Sequence, residues 1–158
     1  MYNNLDQHHF YGRHAVYAEE LTADGYFKRL VDLLAVAPLV GFEYKRSAAR
    51  NNEGGTEKSM LFKQLQSVDK HLELDYKMLM LLDTEHEPDE EQRFYKAFQI
   101  SPEERSKEDL EWFESYVRGG VEVLHESLIG MGNTQDDKLI ELYDFVNSFS
   151  DRYVKEED

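Results

Sequence analysis

A pair of adjacent glycines, Gly119 and Gly120, lies within the strongest helical pattern of the chain. Each glycine inside a helix costs about 1 kcal/mol relative to alanine. A helix that keeps two in a row therefore needs close approach of a neighbouring backbone, or a hinge, at that point. The pattern itself is an apolar stripe at steps of three and four residues, formed by Leu110, Phe113, Val117, Val121, Leu124 and Leu128.

The rest of the 158-residue chain predicts a mainly α fold, a compact bundle of five to seven helices in a single domain over residues 1–158. Its 41% apolar and 13% aromatic content is enough for a real core. A short extended segment or hairpin is expected near residues 39–65, where a period of two replaces the helical period. The predicted helices span 13–21, 26–37, 68–82, 89–98, 101–129 and the region from 134 onwards.

Both ends of the chain are predicted to be poorly ordered, with a flexible arm at 1–12 and a frayed tail at 155–158. Pro38 is expected to end or kink the second helix, because proline removes a backbone donor and restricts the preceding residue. The last helix is expected to pack firmly on the rest, since its apolar residues recur at helical spacing: Leu139, Leu142, Val146, Phe149 and Tyr153.

The composition limits the compartment and the partners. The chain has no cysteine, no basic-then-apolar signal sequence and no apolar run of membrane-spanning length, so we expect a cytoplasmic protein without a membrane segment. The net charge of −15 lies in residues 51–158, which hold 27 acidic and 12 basic side chains. Such a field makes direct nucleic-acid binding an unlikely function and favours protein partners with a basic surface. A solvated surface is the simplest interpretation, and a DNA-mimicking face is the alternative.

Three histidines near the N-terminus, His8, His9 and His14, could bind a transition metal if the chain curled around one. No carboxylate stands four residues away to complete a rigid set. We therefore predict exposed polar residues here, with no metal site and no cofactor.

Arg118 and His125 have the Arg-x6-His spacing that small helical RNases of the HEPN type use near a helix end. In that chemistry the arginine stabilises the phosphate and the histidine activates the 2′-hydroxyl. Seven residues make nearly two helical turns, so both side chains share one face. An acidic surface is a poor place to bring RNA, which makes a non-catalytic polar pair the simpler interpretation.

The only basic cluster contains Lys45, Arg46 and Arg50 and precedes a glycine-rich loop. It could contact an anion, or it could pair with the acidic face of the protein itself. Glu43-x-Lys45 and Asp75-x-Lys77 match the tail of the restriction-nuclease metal motif, but the second lies in a predicted helix and two-residue patterns arise by chance.

The acidic run at 83–91 does not have the spacing of oxygen ligands that a calcium loop requires. We interpret it as a solvated loop between two helices.

Two segments carry a family resemblance. Residues 27–42 (FKRLVDLLAVAPLVGF), followed by the basic cluster, resemble the helix-then-Gly-Phe segment of small proteins associated with DNA phosphorothioation gene clusters. Residues 111–124 (EWFESYVRGGVEVL) are similar to that family's Gly-Gly-Leu-Glu-Ile-Leu ending. The resemblance covers about residues 26–129 and implies an accessory or partner role beside bacterial anti-phage defence. The chain departs from the family at Pro38 and at Val117-Arg118, and no catalytic residue carries over.

These observations favour a non-catalytic accessory protein that binds other proteins, and the resemblance implies an anti-phage defence or DNA-modification system as its setting. A homo-oligomer is compatible with the pattern. Two alternatives stay open: an acidic DNA mimic that inhibits a nucleic-acid-binding enzyme, and a HEPN-like RNase that uses Arg118 and His125.

Overall fold

The computed structural model describes residues 7–130 and 134–154. Over these residues the chain is mainly helical, which confirms the predicted fold class. Seven helices and one two-stranded antiparallel sheet are present in the described part. The elements are β1 Gln7–Tyr11, α1 Gly12–Ala23, α2 Leu30–Glu43, β2 Glu57–Leu61, α3 Phe62–Leu65, α4 Asp69–Leu82, α5 Glu90–Phe98, α6 Lys107–Leu128 and α7 Gln135–Val154.

The centre of the fold is the contact between α2 and α6, the most extensive contact between any two elements. Here the two backbones touch. A Cβ atom on Gly120 would lie 1.8 Å from the carbonyl oxygen of Ala37, and one on Gly119 would lie 1.8 Å from the carbonyl oxygen of Arg46. A Cβ on Gly41 would in turn lie 2.1 Å from the carbonyl oxygen of Tyr116. Glycines from both segments therefore line one seam, and no side chain fits between the helices there.

Helix α2 continues through Pro38, which is buried in its interior. The prediction that an extended segment begins near residue 39 is therefore wrong for residues 39–43, which belong to α2. The helix continues because Val40 and Gly41 are buried against α6, and tertiary packing outweighs the hydrogen bond that proline removes. Extended structure within 39–65 is confined to β2 at residues 57–61.

The partner of β2 comes from the other end of the sequence. Strand β1 pairs with it antiparallel, with His8 opposite Met60 and Phe10 opposite Lys58. The predicted flexible arm is thus wrong for residues 7–12, whereas residues 1–6 and the predicted tail at 155–158 lie outside the described residues. His8 and Phe10 are buried on one face of β1. This alternation of buried residues is hard to recognise in the sequence, because the arm is rich in polar residues.

The predicted helix 101–129 is divided in two. A turn of 3-10 helix at Pro102–Glu104 carries the expected capping box between Ser101 and Glu104. Arg105 then takes an extended conformation, and Ser106 caps α6 by accepting a hydrogen bond from the backbone N–H of Asp109 at 3.0 Å. The break buries Arg105, whose guanidinium lies 3.8 Å from the ring centroid of Tyr76 and pairs with Glu73.

Helix α4 carries Asp75 on its buried face, and the Oδ2 atom of Asp75 has no hydrogen-bond partner among the described residues. Burial raises the pKa of Asp75 from 3.8 to about 6. Above pH 6 the folded protein must therefore hold an unfavourable buried charge. Below pH 3.8 the group is protonated in both the folded and the unfolded state, and the penalty disappears.

We expect Asp75→Asn to raise the free energy of unfolding by about 2 kcal/mol at pH 7, because it removes that charge. Urea denaturation at several pH values measures the effect, which should decline as the pH falls from 6 to 4. Asp144→Asn, which makes the same charge change at an exposed position of α7, should stay within about 0.5 kcal/mol of the wild type at every pH. A destabilised Asp75→Asn variant at pH 7 would contradict the expectation.

Candidate functional site

Helix α7 is attached to the bundle by one side only. Its Phe145 stacks on Tyr44 with ring centroids 6.1 Å apart, and Phe149 meets the same ring edge-on at 5.6 Å. Nearer the start of the helix, the hydroxyl of Tyr26 donates a hydrogen bond to Glu141 Oε2 at 2.7 Å. These contacts hold α7 against Tyr26, which precedes α2, and against Tyr44, which follows it.

The opposite side of α7 presents an apolar stripe to solvent. Leu139 is 62% exposed, Tyr143 67% and Val146 58%, and they follow one another at helical steps of four and three. Ile140, also exposed, widens the stripe. We call these four residues the α7 outer face. The prediction that Leu139, Leu142 and Val146 pack on the rest of the protein is wrong, because these side chains are exposed and the inner side of α7, which includes Phe149, packs against Tyr44. Tyr153 lies among the side chains that are not described.

Carboxylates flank the α7 outer face. Asp136, Asp137 and Asp144 are exposed on the same helix, and its only basic side chain among the described ones, Lys138, is held 3.3 Å from Asp24 Oδ1. The face is therefore apolar along its centre and negative along its edge. A stripe of this kind suits a partner with an apolar ridge beside basic side chains.

A second exposed apolar group lies on α5, where the rings of Phe94 and Phe98 are 5.0 Å apart. Its surroundings carry both signs of charge. Lys77 lies 5.8 Å from the ring centroid of Phe98, and Lys96 lies on α5 itself. This group therefore shows less charge bias than the α7 outer face.

A cavity of about 280 Å³ lies on another part of the molecule, where β1 and the loop at 50–51 meet α6. We call it the His–Arg pocket. Its polar walls bring together residues that are far apart in the sequence: His8, His9, His14, Arg50, Glu111, Glu114 and Arg118.

The three histidines lie together in this pocket, but each contacts a different carboxylate. Nε2 of His8 lies 3.1 Å from Glu114, Nε2 of His14 lies 3.0 Å from Glu122, and His9 contacts Glu57. Among residues 7–130 and 134–154, no three His, Asp or Glu side chains are placed to share a metal ion. The expectation that these histidines are exposed is wrong for His8 and His14, which are buried.

Arg118 and His125 do not meet in one cleft in the structure. Nε of Arg118 donates to the carbonyl oxygen of Ala48 at 2.7 Å, and its guanidinium lines the His–Arg pocket. His125 stacks on Tyr17 with ring centroids 3.9 Å apart and contacts Glu20. The two side chains therefore serve different contacts, although they lie on the same helix.

The basic cluster is also divided. Lys45 is exposed, with a φ of 50° in the turn that follows α2. Arg46 donates to Glu122 and Glu126, both at 3.0 Å, so it pairs with the protein's own carboxylates. Arg50 lies 3.8 Å over the ring of Tyr11 at the wall of the His–Arg pocket. Of these three basic residues, only Arg50 is therefore placed to contact an anion in that pocket.

Neither of the two nuclease-like patterns has the strand that the motif requires. Glu43 is the last residue of α2, and Asp75 and Lys77 lie within α4.

The sequence pattern did not reveal the role of Glu122, a buried carboxylate two residues after the glycine pair. Arg13 approaches its Oε1 at 2.7 Å, His14 approaches the same oxygen at 3.0 Å, and Arg46 donates to Oε2 at 3.0 Å. Burial alone would raise the pKa of Glu122, but the hydrogen bonds from Arg46 and His14 and the charge of Arg13 lower it on balance. Glu122 thus joins α1 and the segment after α2 to α6.

The acidic run at 83–91 is more ordered than a solvated loop. Asp83 is buried, and its Oδ2 accepts hydrogen bonds from Trp112 Nε1 and from the Tyr116 hydroxyl, both at 2.8 Å. Burial raises the pKa of Asp83, but these donors lower it below its usual value overall. The prediction is therefore wrong for Asp83, which ties the end of α4 to α6.

Comparison of the chain with protein-family models, with curated proteins and with solved structures yields no match. No helix in the described ranges combines the length and apolar character that crossing a bilayer requires.

Proposed function

We propose that this protein is a non-catalytic accessory protein that binds another protein through the α7 outer face. The observation that carries the proposal is a helix with two apolar sides, of which the bundle covers one. Contiguous exposed apolar patches on soluble proteins commonly mark interaction sites. Leu139, Tyr143 and Val146 have the i, i+4, i+7 spacing of anchors in helix-mediated recognition.

The charge around the stripe supports a basic partner rather than a second copy of the chain. Asp136, Asp137 and Asp144 would face the same carboxylates in a symmetric pair, and juxtaposed like charges disfavour association. The net charge of −15 adds a long-range repulsion between copies. For a partner with lysine and arginine beside an apolar ridge, both the contacts with these carboxylates and the long-range field of the net charge are attractive.

A synthetic amphipathic peptide with leucine on one side and lysine on the other provides a direct probe of this surface. We expect it to bind the wild-type protein, with affinity that falls as salt rises. Leu139→Gln and Tyr143→Gln together should weaken binding at least about tenfold, equivalent to about 1.4 kcal/mol, because they remove two apolar anchors. Fluorescence anisotropy of the labelled peptide measures the change.

The matched control is Leu61→Gln with Leu82→Gln, two equally exposed leucines outside α7. Both double variants should keep wild-type thermal stability to within about 1 kcal/mol, since the substituted side chains are exposed. Equal loss of peptide affinity in the two double variants would contradict the assignment of the surface. Sedimentation equilibrium that shows self-association, abolished by the α7 substitutions, would identify a second copy as the occupant instead.

We further propose that the partner belongs to a bacterial anti-phage defence or DNA-modification system. The support is the resemblance of residues 27–42 and 111–124 to proteins of phosphorothioation gene clusters, and these segments supply the two helices of the glycine seam. Affinity purification from the native host, followed by mass spectrometry, tests this setting. A supporting partner is a component of such a system that is retained by the wild type and lost with Leu139→Gln and Tyr143→Gln.

The same purification separates the alternatives. A nucleic-acid-binding enzyme that is still retained by the α7 double variant, and is released by high salt, would favour the acidic DNA mimic. The RNase alternative needs Arg118 and His125 at one scissile phosphate, and in the described chain their side chains have separate partners.

A further inference from the structure

The His–Arg pocket combines features that the protein-binding role does not use. Strand β1, helix α1, the loop at 50–51 and helix α6 each contribute polar side chains to one cavity of about 280 Å³. That volume is close to the lower end of the range for small-molecule sites. The pocket exists only because the first strand crosses to pair with β2, so it is a product of the tertiary fold.

Arg118 gives the pocket a fixed positive group. Its side chain is only 9% exposed, and the bond from Nε to the carbonyl oxygen of Ala48 sets the plane of the guanidinium. A buried guanidinium needs an anionic partner. Glu111 provides that partner, yet the Glu111 side chain is itself 62% exposed.

The exposed carboxylate of Glu111 is a displaceable counter-ion. It can return to water at small cost, because the Glu111 side chain is already 62% exposed. The guanidinium cannot do so, because the backbone carbonyl holds it at the pocket wall. An external oxyanion can therefore take the place of Glu111 and gain a charge-assisted hydrogen bond to Arg118.

Arg50 adds a second guanidinium to the same wall. It lies over the ring of Tyr11 at 3.8 Å, and its Nε donates to Asn52 Oδ1 at 3.2 Å. The stacking holds the side chain over the pocket in spite of its exposure. Two arginines from different segments thus line one cavity. Of the two carboxylates in its wall, Glu114 lies 3.1 Å from His8 Nε2, and Glu111 is the counter-ion of Arg118.

His14 supplies an acceptor. The ionised Glu122 accepts a hydrogen bond from Nε2–H of His14 at 3.0 Å, which places the ring proton on Nε2. Burial lowers the pKa of His14, so the ring is neutral at pH 7. Nδ1 is then a buried acceptor without a hydrogen-bond partner among the described residues, which is unusual for a buried polar atom. His14 lines the cavity but has no exposed surface, so a ligand reaches Nδ1 by moving the side chains that cover it.

We propose that the His–Arg pocket binds a small ligand that carries an oxyanion, either a phosphate or a carboxylate, beside a hydroxyl or N–H donor. Arg118 and Arg50 bind the oxyanion after it displaces Glu111, and Nδ1 of His14 accepts the donor. This proposal does not depend on the α7 outer face.

Titration of ¹⁵N-labelled protein, followed by NMR, tests the proposal with three probes at constant ionic strength. Inorganic phosphate and glycolate each carry an oxyanion and a hydroxyl, whereas acetate carries only the oxyanion. We expect phosphate or glycolate to shift the Arg118 Nε–H signal and the amides of residues 8–11 in a saturable way, and acetate to bind several-fold more weakly than glycolate. Saturation by phosphate alone identifies a phosphate site, and saturation by glycolate alone identifies a carboxylate site.

Two variants with matched controls make the test specific. Glu111→Gln removes the internal competitor and should tighten binding about threefold or more, whereas Glu103→Gln, the same charge change at an exposed position outside the pocket, should not. Arg50→Gln should weaken binding about tenfold through loss of a charge-assisted hydrogen bond, and Lys45→Gln should leave it unchanged.

The proposal is overturned if neither phosphate nor glycolate gives a saturable shift at Arg118. It is also overturned if Glu111→Gln and Glu103→Gln change the dissociation constant by the same factor, because net charge alone would then explain the binding. If acetate binds as tightly as glycolate, the hydroxyl of glycolate contributes nothing to binding, and His14 is not part of the site.

Discussion

Gly120→Ala should destabilise the protein by about 3 kcal/mol or more, although alanine is the better helix former. Helix propensity alone predicts a gain of about 1 kcal/mol. The added Cβ, however, would lie 1.8 Å from the carbonyl oxygen of Ala37 and 3.0 Å from its Cα. A backbone atom cannot rotate away, so α2 and α6 must separate and lose packing along the seam. Thermal unfolding should show a melting temperature lower by about 6–12 °C.

The sign of the change in stability separates the two explanations of the glycine pair, a close backbone contact and a hinge. A variant as stable as the wild type, or more stable, would show that the helices do not meet at Gly120. Gly54→Ala is a useful comparison, since no atom lies within 4 Å of its added Cβ and only the φ of 80° opposes it, at a cost of about 1–2 kcal/mol. Ala37→Gly should fail to rescue Gly120→Ala, because the obstructing atoms belong to the backbone.

Glu122→Gln should lower the free energy of unfolding at pH 7 by about 2–4 kcal/mol. The carboxylate is buried and accepts from Arg13, His14 and Arg46 at once. Glutamine has the same shape but no charge, so two arginines lose their common counter-ion. Arg13 and Arg46 are about half exposed and can turn to water, which keeps the loss below that of a fully enclosed ion pair. Urea denaturation of the two proteins measures the difference.

The pH dependence of this difference follows from the lowered pKa of Glu122. Its contribution to stability is fully present above the unfolded pKa, near 4.5, and is lost as the pH falls through the lower folded value. The gap between the wild type and Glu122→Gln should therefore be constant from pH 7 to about pH 5 and close at lower pH. Glu126→Gln, which removes an exposed carboxylate paired with the half-exposed Arg46, should cost less than about 1 kcal/mol. A loss in Glu126→Gln equal to that in Glu122→Gln would contradict the assignment of Glu122 as a buried ion-pair centre.

Helical periodicity, together with signals at the helix ends, predicted the bounds of two helices to within one residue. Helix α4 was expected at 68–82 and spans Asp69–Leu82, and α5 was expected at 89–98 and spans Glu90–Phe98. Predictions of helix bounds were wrong where a tertiary contact outweighed a local sequence rule. Pro38 was expected to end or kink α2, but burial of Val40 and Gly41 keeps the helix continuous past it.

The His–Arg pocket could not be predicted, because its walls come from segments separated by up to about a hundred residues. His8 and His14 looked like exposed polar residues of an arm, and Arg118 looked like half of a helical pair. Pairing of β1 with β2 brings them to one cavity. The exposure of the α7 outer face could not be predicted either. An apolar stripe shows that one side of a helix is suited to burial, but it does not show which neighbour covers that side.

The amino-acid order by itself determined the helical class and the need for either a close backbone contact or a hinge at Gly119 and Gly120, because periodicity and the cost of glycine act within one helix. Only the tertiary structure decided that α2 is the neighbour at that contact, that Glu122 gathers two arginines and a histidine, and that one side of α7 stays uncovered. Those outcomes depend on distances between segments remote in sequence, and such distances are set by the packing of the whole chain.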